Sequence, residues 1–275
     1  MDLNEIKNRL NNLQAKSAPN SGGDKKNLFW KPSVGKQTVR VVPSKFNQSN
    51  PFTELFFYYG IGNKVMVSPT NFGEKDPIAE FAKQLRQTSD KDNWRLAKKL
   101  DAKMRVFAPV IVRGEESEGV KLWQFGKEIY EAFLQLAADE EVGDFTDVAT
   151  GRDIKLNTVG PESTGTPYNR TTIGPSMKTS PLSNDASEIV QWLENQADPK
   201  VVFKRYSFDE MKQALQEWLA PEDEAQEGDI IDDEREEEVV TSPPQKNYAL
   251  KTPAPKVSNA DKFDSLFEEE DDLPF

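Results

Sequence analysis

Past residue 220 this chain has too little apolar material to build a core. Residues 221–275 carry 18 Asp and Glu against 5 Lys and Arg, a composition that cannot bury enough surface to offset the entropy of ordering the backbone. Any fold has to be made by what comes before. The chain of 275 residues has a net charge of −12, yet its first 220 residues hold 29 acids and 30 bases. The acidity therefore belongs to an appendage, and the body is nearly neutral. Within residues 25–131 there are 19 bases and 12 acids, a stretch able to show a positive surface to a polyanion. Residues 1–24 read as a polar arm, 25–220 as one folded domain large enough for its own core, and 221–275 as a disordered acidic tail.

The residue types that are missing narrow the chemistry. With no Cys and no His, the chain has no disulfide, no thiolate or imidazole zinc ligand, and no Ser-His or Cys-His nucleophile pair. A nuclease built on clustered carboxylates would need a rigid frame to hold two metals, and the dense acids lie in the tail. The expectation is a protein that is not an enzyme and takes no cofactor and no metal. No apolar run approaches the roughly 18 residues needed to cross a bilayer, and residues 1–20 lack a signal-peptide core. The expected location is the cytoplasm.

In the arm, Leu3, Ile6, Leu10 and Leu13 recur at helical spacing, which predicts a short amphipathic helix that needs a partner surface, its own domain or a neighbouring copy. Residues 17–26 read as a hinge. Strands are predicted at 37–43, 53–59 and 64–68, the last two flanking a turn at 60–63, and at 105–112 and 120–125. Helices are predicted at 77–86, 92–100 and 127–138, the last with Ile129, Phe133, Leu136 and Ala137 on one stripe. A hairpin over 145–158 would turn at Thr150-Gly151. Residues 160–181 read as a long loop, of the length that function often explains. Helices follow at 185–196 and 208–219, the second opened by a Ser207/Glu210 capping box. Short strands with one prominent helix point to a mixed α+β, mainly β fold, a small Greek-key barrel of the OB-fold type with helical insertions.

Single-stranded nucleic acid asks for cations along its phosphates and aromatic planes for its bases. The body interleaves the two. Lys31 and Lys36 flank the first strand and Arg40 sits on it, Lys103 and Arg105 precede Phe107, and Lys121 and Lys127 bracket Trp123 and Phe125. Tyr58 and Tyr59 end a strand, so pleat alternation turns one of them outward. The candidate DNA-binding set is Lys31, Arg40, Lys45, Tyr59, Lys64, Lys98, Lys99, Lys103, Arg105, Phe107, Lys121, Trp123, Lys127, Tyr168 and Arg170, with Trp123, Tyr168 and Tyr59 favoured as ring contacts. Core packing is the competing role for every strand aromatic.

The tail closes on Asp271-Asp272-Leu273-Pro274-Phe275, a rigid Pro and a buriable ring beside acids. This pentapeptide resembles the C-terminal tip of bacterial single-stranded DNA-binding proteins, which recruits replication and repair enzymes. Leu273 and Phe275 suit an apolar socket, and the acids suit Arg or Lys on a partner.

Phe29-Trp30-Lys31, the run Val39-Arg40-Val41-Val42-Pro43-Ser44-Lys45 with Pro51-Phe52 after it, and Val120-Lys121-Leu122-Trp123-Gln124-Phe125-Gly126-Lys127-Glu128-Ile129-Tyr130 together resemble the T-even phage single-stranded DNA-binding, helix-destabilising protein family over about residues 25–220. The resemblance implies an OB-fold that binds single strands without sequence preference and coats replication and recombination intermediates. It also implies an acidic C-terminal region for partners. On it, Trp123 matches a groove aromatic, Phe107 lies at a family Trp, Lys103 matches a groove Lys, and Tyr168 aligns with a loop Tyr. The chain departs from the family in three places. Where the family has part of its zinc site it reads Asp76-Pro77-Ile78-Ala79, so this subdomain is expected to be held by packing of Phe72, Ile78, Phe81 and Leu85. The arm offers only Lys7, Arg9, Lys16 and Ser17 for contact between neighbours. The tail ends like bacterial ones.

The expected function is sequence-independent coating and protection of single-stranded DNA in phage replication, recombination and repair, with enzymes recruited through the tip, in an infected bacterial cell. The acidic tail is expected to compete with DNA for the body, most strongly at low salt. The alternative is an adaptor that recruits enzymes without binding DNA.

Overall fold

The computed structural model describes residues 28–47 and 49–220. The expectations for the arm, its helix and its hinge, and for the tail and its tip, fall outside the described residues. The strands are β1 (Phe29–Trp30), β2 (Gly35–Val41), β3 (Thr53–Ile61), β4 (Lys64–Val67), β5 (Lys103–Val112), β6 (Lys121–Phe125), β7 (Arg152–Val159) and β8 (Arg170–Thr179). The α-helices are α1 (Pro77–Gln87), α2 (Lys91–Lys99), α3 (Lys127–Ala138), α4 (Pro161–Thr164), α5 (Ala186–Glu194), α6 (Pro199–Val202) and α7 (Phe208–Leu219). The architecture is mixed α+β. No helix among the described residues is long and apolar enough to cross a membrane.

The body that reads as one domain divides into two compact units, residues 28–53 with 106–199 and residues 54–105 with 200–220. In the first, the strands run in the order β1-β6-β5-β2-β7-β8, antiparallel except for the short β1–β6 pair. From Val106 onward β5 is buried at every residue, as a strand lined on both sides should be, and its sequence is correspondingly apolar throughout. Gly126 leads straight from β6 into α3, which buries Tyr130 and Phe133. Of the expected stripe Phe133 is buried and Ile129 and Leu136 are half-buried, while Ala137 is exposed. Phe133 sits among rings: Phe52 at 5.1 Å, Phe125 at 5.4 Å, Trp123 at 5.7 Å and Phe145 at 5.9 Å between centroids. A second cluster joins Val42, Ile111, Leu182 and Trp192 of α5.

Two sequence expectations fail in this unit. Residues 160–181 are not a long loop, because α4 and the ten-residue β8 occupy most of them. Residues 145–151 form a turn rather than the first arm of a hairpin, and β7 pairs with β8 instead. Gly174 and Pro175 hid this strand. They are tolerated because β8 is the last strand in the order, where a missing N–H interrupts no further ladder.

In the second unit, β3 pairs with β4 and with β5, whose first three residues belong here. The β3–β4 turn puts Gly60, Gly62 and Asn63 at positive φ, which Gly and Asn adopt at least cost. Helices α1 and α2 pack together, and α7 packs on α1. Their apolar stripes meet β3 and β4 in one cluster that includes Tyr58, Met66, Ile78, Phe81, Leu85, Ala97, Leu100 and Leu215. Of the four residues expected to hold this region, Ile78, Phe81 and Leu85 are in that cluster. Phe72 is half-buried, with the Arg205 guanidinium 4.0 Å from its ring.

Asp76 ties the parts together. It is 2% exposed and caps α1, accepting from the backbone N–H of Ile78 (3.0 Å) and Ala79 (3.1 Å) through Oδ1. Its Oδ2 accepts from the Tyr58 hydroxyl (2.9 Å) and the Ser68 hydroxyl (2.5 Å). One carboxylate thus joins a helix start, a strand and the turn after β4.

Replacing Asp76 by Ala removes a cap and takes an acceptor from two buried hydroxyls, and should cost about 3 kcal/mol in urea unfolding. Tyr58→Phe should cost about 1 kcal/mol. Burial, and then the Asp76 charge, push the Tyr58 phenol well above its ordinary value of 10.0. An unfolded Tyr ionises near that value while the folded one stays neutral, so stability should fall as pH rises above about 10. Tyr58→Phe should flatten that part of the stability–pH curve.

Candidate nucleic-acid interface

In the second unit the surface presents aromatic rings beneath cations. Tyr59, near the end of β3, is 36% exposed, with the Arg105 guanidinium 5.5 Å from its ring centre and Phe57 as a neighbour at 6.2 Å. Alternation puts Tyr58 and Tyr59 on opposite faces of β3; Tyr58 joins the core cluster, whereas Tyr59 shares the face of the buried Phe57 and is itself left partly open. Helix α2 buries Asn93 and Ala97 and leaves Trp94 53% exposed, with Lys98 Nζ 5.6 Å from that ring. Such pairs hold a ring face and a positive charge side by side.

Lys98 and Lys99, both expected contacts, are exposed in the last turn of α2, and Lys64 is exposed just past the β3–β4 turn. Lys103 and Arg105 are half-buried on the start of β5. Trp94 is absent from the sequence-derived set although a signal existed. It lies four residues before Lys98 and off the Asn93/Ala97 stripe, so a helical reading places it on the outer face.

The first unit corrects three expectations. Trp123 is 1% and Phe107 0% exposed, so neither has a ring face for a base to stack on. Trp123 lies in the sheet interior beneath α3, against Trp30 at 5.6 Å and Phe125 at 4.9 Å, and Phe107 packs edge-on to Phe29 at 6.4 Å. Arg40 is 0% exposed and its guanidinium is committed to the protein. Nη1 donates to Asp153 and Ser180 Oγ at 3.4 Å, and Nη2 donates to the carbonyls of Asp147 (2.9 Å) and Ser180 (2.7 Å).

Other cations are partly engaged. Lys121 is buried along β6 with its ammonium 2.9 Å from Glu118, and Lys45 Nζ donates to the Glu194 carbonyl at the end of α5 (2.9 Å). Lys127 and Arg170 are exposed and pair with Glu131 (3.7 Å) and Glu128 (2.9 Å). Pairs at such exposure are weak and easily exchanged for phosphate. Lys31 is exposed just after β1, and Tyr168 is half-buried, its carbonyl accepting from the Thr164 and Thr166 hydroxyls. Among the described residues no group of acidic side chains is placed to hold a metal ion.

Residues 33–220 match the family described as gp32 DNA binding protein like. A search of curated proteins gives no match.

Trp123→Ala should behave as a core deletion, costing about 3–5 kcal/mol in urea unfolding. Trp94→Phe should leave the unfolding midpoint nearly unchanged and remove the largest single share of acrylamide-quenchable Trp emission, since Trp94 is the most exposed Trp among the described residues.

Proposed function

The chain belongs to the gp32-like family of DNA-binding proteins, and we propose that it coats single-stranded DNA without reading its sequence, the bases stacking on exposed rings and the phosphates meeting the cations around them. The observation that carries this reading is the pairing of Tyr59 with Arg105 and of Trp94 with Lys98 on the surface of one unit. A ring stacks on any base, and the cation beside it meets any phosphate, so the pairing favours a strand without favouring a sequence. Lys64, Lys98, Lys99, Lys103 and Arg105 extend the positive charge in that unit, and Lys31, Lys127 and Arg170 supply it in the other. The antiparallel β order with one helix entered directly from β6 is compatible with an OB-fold, which is the architecture we assign.

In this reading the protein is a binding protein of phage replication, recombination and repair, working in the cytoplasm of an infected bacterium. Its acidic tail competes with DNA for the body, and the tip Asp271, Asp272, Leu273, Pro274 and Phe275 docks partner enzymes once DNA displaces it. The arm, residues 1–24, contacts a neighbouring copy along the strand.

The test is anisotropy of a labelled mixed-sequence single strand and of the matching duplex, at two salt concentrations. The expected result is tight, salt-sensitive binding to the single strand and weaker binding to the duplex. Trp94→Ala and Tyr59→Ala should each weaken single-strand binding about tenfold, the loss of one stacked base. Truncation after Ala220 should tighten binding at low salt. No binding by either the full chain or the truncation would overturn the reading and favour an adaptor role.

A further inference from the structure

Three adjacent strands of the first unit leave a polar face open. The register sets Lys36 opposite Asn157 and Thr38 opposite Lys155, and then Asn157 opposite Thr172 and Lys155 opposite Gly174. Residues directly opposite in a sheet share a face, so Lys36, Thr38, Lys155, Asn157, Thr172 and Gly174 form one surface, with the two Lys on a diagonal about 7–8 Å apart. These residues line a shallow concavity of about 420 Å³. Lys36, Lys155, Asn157 and Thr172 are exposed.

The charge of this face has one sign. Asp153 is the one carboxylate within β2, β7 and β8, and it is held by two guanidiniums, Arg40 at 3.4 Å and Arg113 at 2.9 Å. Its negative charge is thereby more than neutralised, and Lys36 and Lys155 dominate beside it. The floor is open as well, because a Cβ built on Gly174 would meet nothing within 4 Å.

We propose that this β2–β7–β8 face is a phosphate-binding surface for single-stranded DNA, with Lys36 and Lys155 as its charged contacts and Thr38, Asn157 and Thr172 as hydrogen-bonding ones. The proposal rests on the single-strand reading above and adds residues that it does not contain. Paired cations flanked by amide and hydroxyl groups, with no exposed ring, suit a sugar-phosphate backbone rather than bases. The face therefore contributes affinity and salt dependence but no base stacking.

The experiment measures single-strand affinity of the full-length protein against salt for wild type, Lys36→Ala/Lys155→Ala, Lys36→Arg/Lys155→Arg and Gly174→Glu, with circular dichroism melting as the folding control. Each phosphate contact on a single strand adds about 0.7 to the slope of log affinity against log salt. The double Ala variant should lower that slope by about 1.4 and bind about tenfold more weakly at low salt, and the double Arg variant should match wild type. Gly174→Glu puts a carboxylate in the concavity where the backbone has room, and should weaken low-salt binding by a similar factor. Unchanged affinity and slope in folded Ala and Glu variants would overturn the proposal while leaving the single-strand reading standing. Weaker binding with an unchanged slope would overturn it too. Failure of the wild type to bind single strands would overturn both.

Discussion

Burial of the Arg40 guanidinium in the second strand is the constraint around which the first unit is arranged. A fully buried charge is tolerated only where partners replace its water. Arg40 gathers one carboxylate, one hydroxyl and two carbonyls, leaving its Nε as a buried polar atom with no partner among the described residues. Burial lowers its pKa and Asp153 acts in the opposite direction. A guanidinium so placed still keeps its proton, because its ordinary value is so high. The partners come from β7, from the 147–151 turn and from the residue after β8, so one side chain draws together segments that are far apart in sequence.

Several features follow from that demand. Gly151 has to be Gly, since a Cβ there would lie 2.4 Å from the Asp147 carbonyl and 2.6 Å from Arg40 Nη2. The Ser180 N–H donates to the Gly151 carbonyl and the Leu182 N–H donates to that of Val148. These bonds deliver Leu182 to the cluster with Val42, Ile111 and Trp192. Arg113 completes the arrangement by donating to Asp153 and to the Leu182 carbonyl. With β7 and β8 held this way against β2, Lys36 and Lys155 come to share an outer face.

The second unit meets its own requirement with a buried anion. Asp76 has four donors and no cation among its hydrogen-bond partners. A carboxylate at a helix N-terminus is favoured by the backbone N–H groups it satisfies and by the helix dipole. A helix, a strand and a turn are thus fixed without thiolates or imidazoles, and the cations of this unit are left to its surface. That division connects architecture to the proposed function: the fold consumes Arg40, Arg113 and much of Lys121 internally, while Lys64, Lys98 and Lys99 stay in solvent, Lys98 beside the Trp94 ring.

Much of this was legible in the chain. The β-branched run in 37–43 stopped by Pro43, the strand signal in 53–59, the helical pattern in 77–86 and 127–138, and the Ser207/Glu210 box depend only on neighbours a few residues away, and the elements appear where those patterns lie. The resemblance carried by the residues around Trp30, Arg40 and Trp123 led to the family that residues 33–220 match. The roles of those side chains were not legible. Trp123 and Phe107 read as stacking platforms and are core, Arg40 reads as a phosphate contact and is an internal tie, and β8 was concealed by Gly174 and Pro175. The sequence by itself determined the local elements, the charge division between body and tail, and the catalytic chemistries that a chain lacking Cys and His does not have. Only the tertiary structure decided which cations and rings face solvent. The reason is physical: periodicity is set by a residue's near neighbours, whereas exposure is set by strand order, register and buried charge, which join residues more than a hundred positions apart.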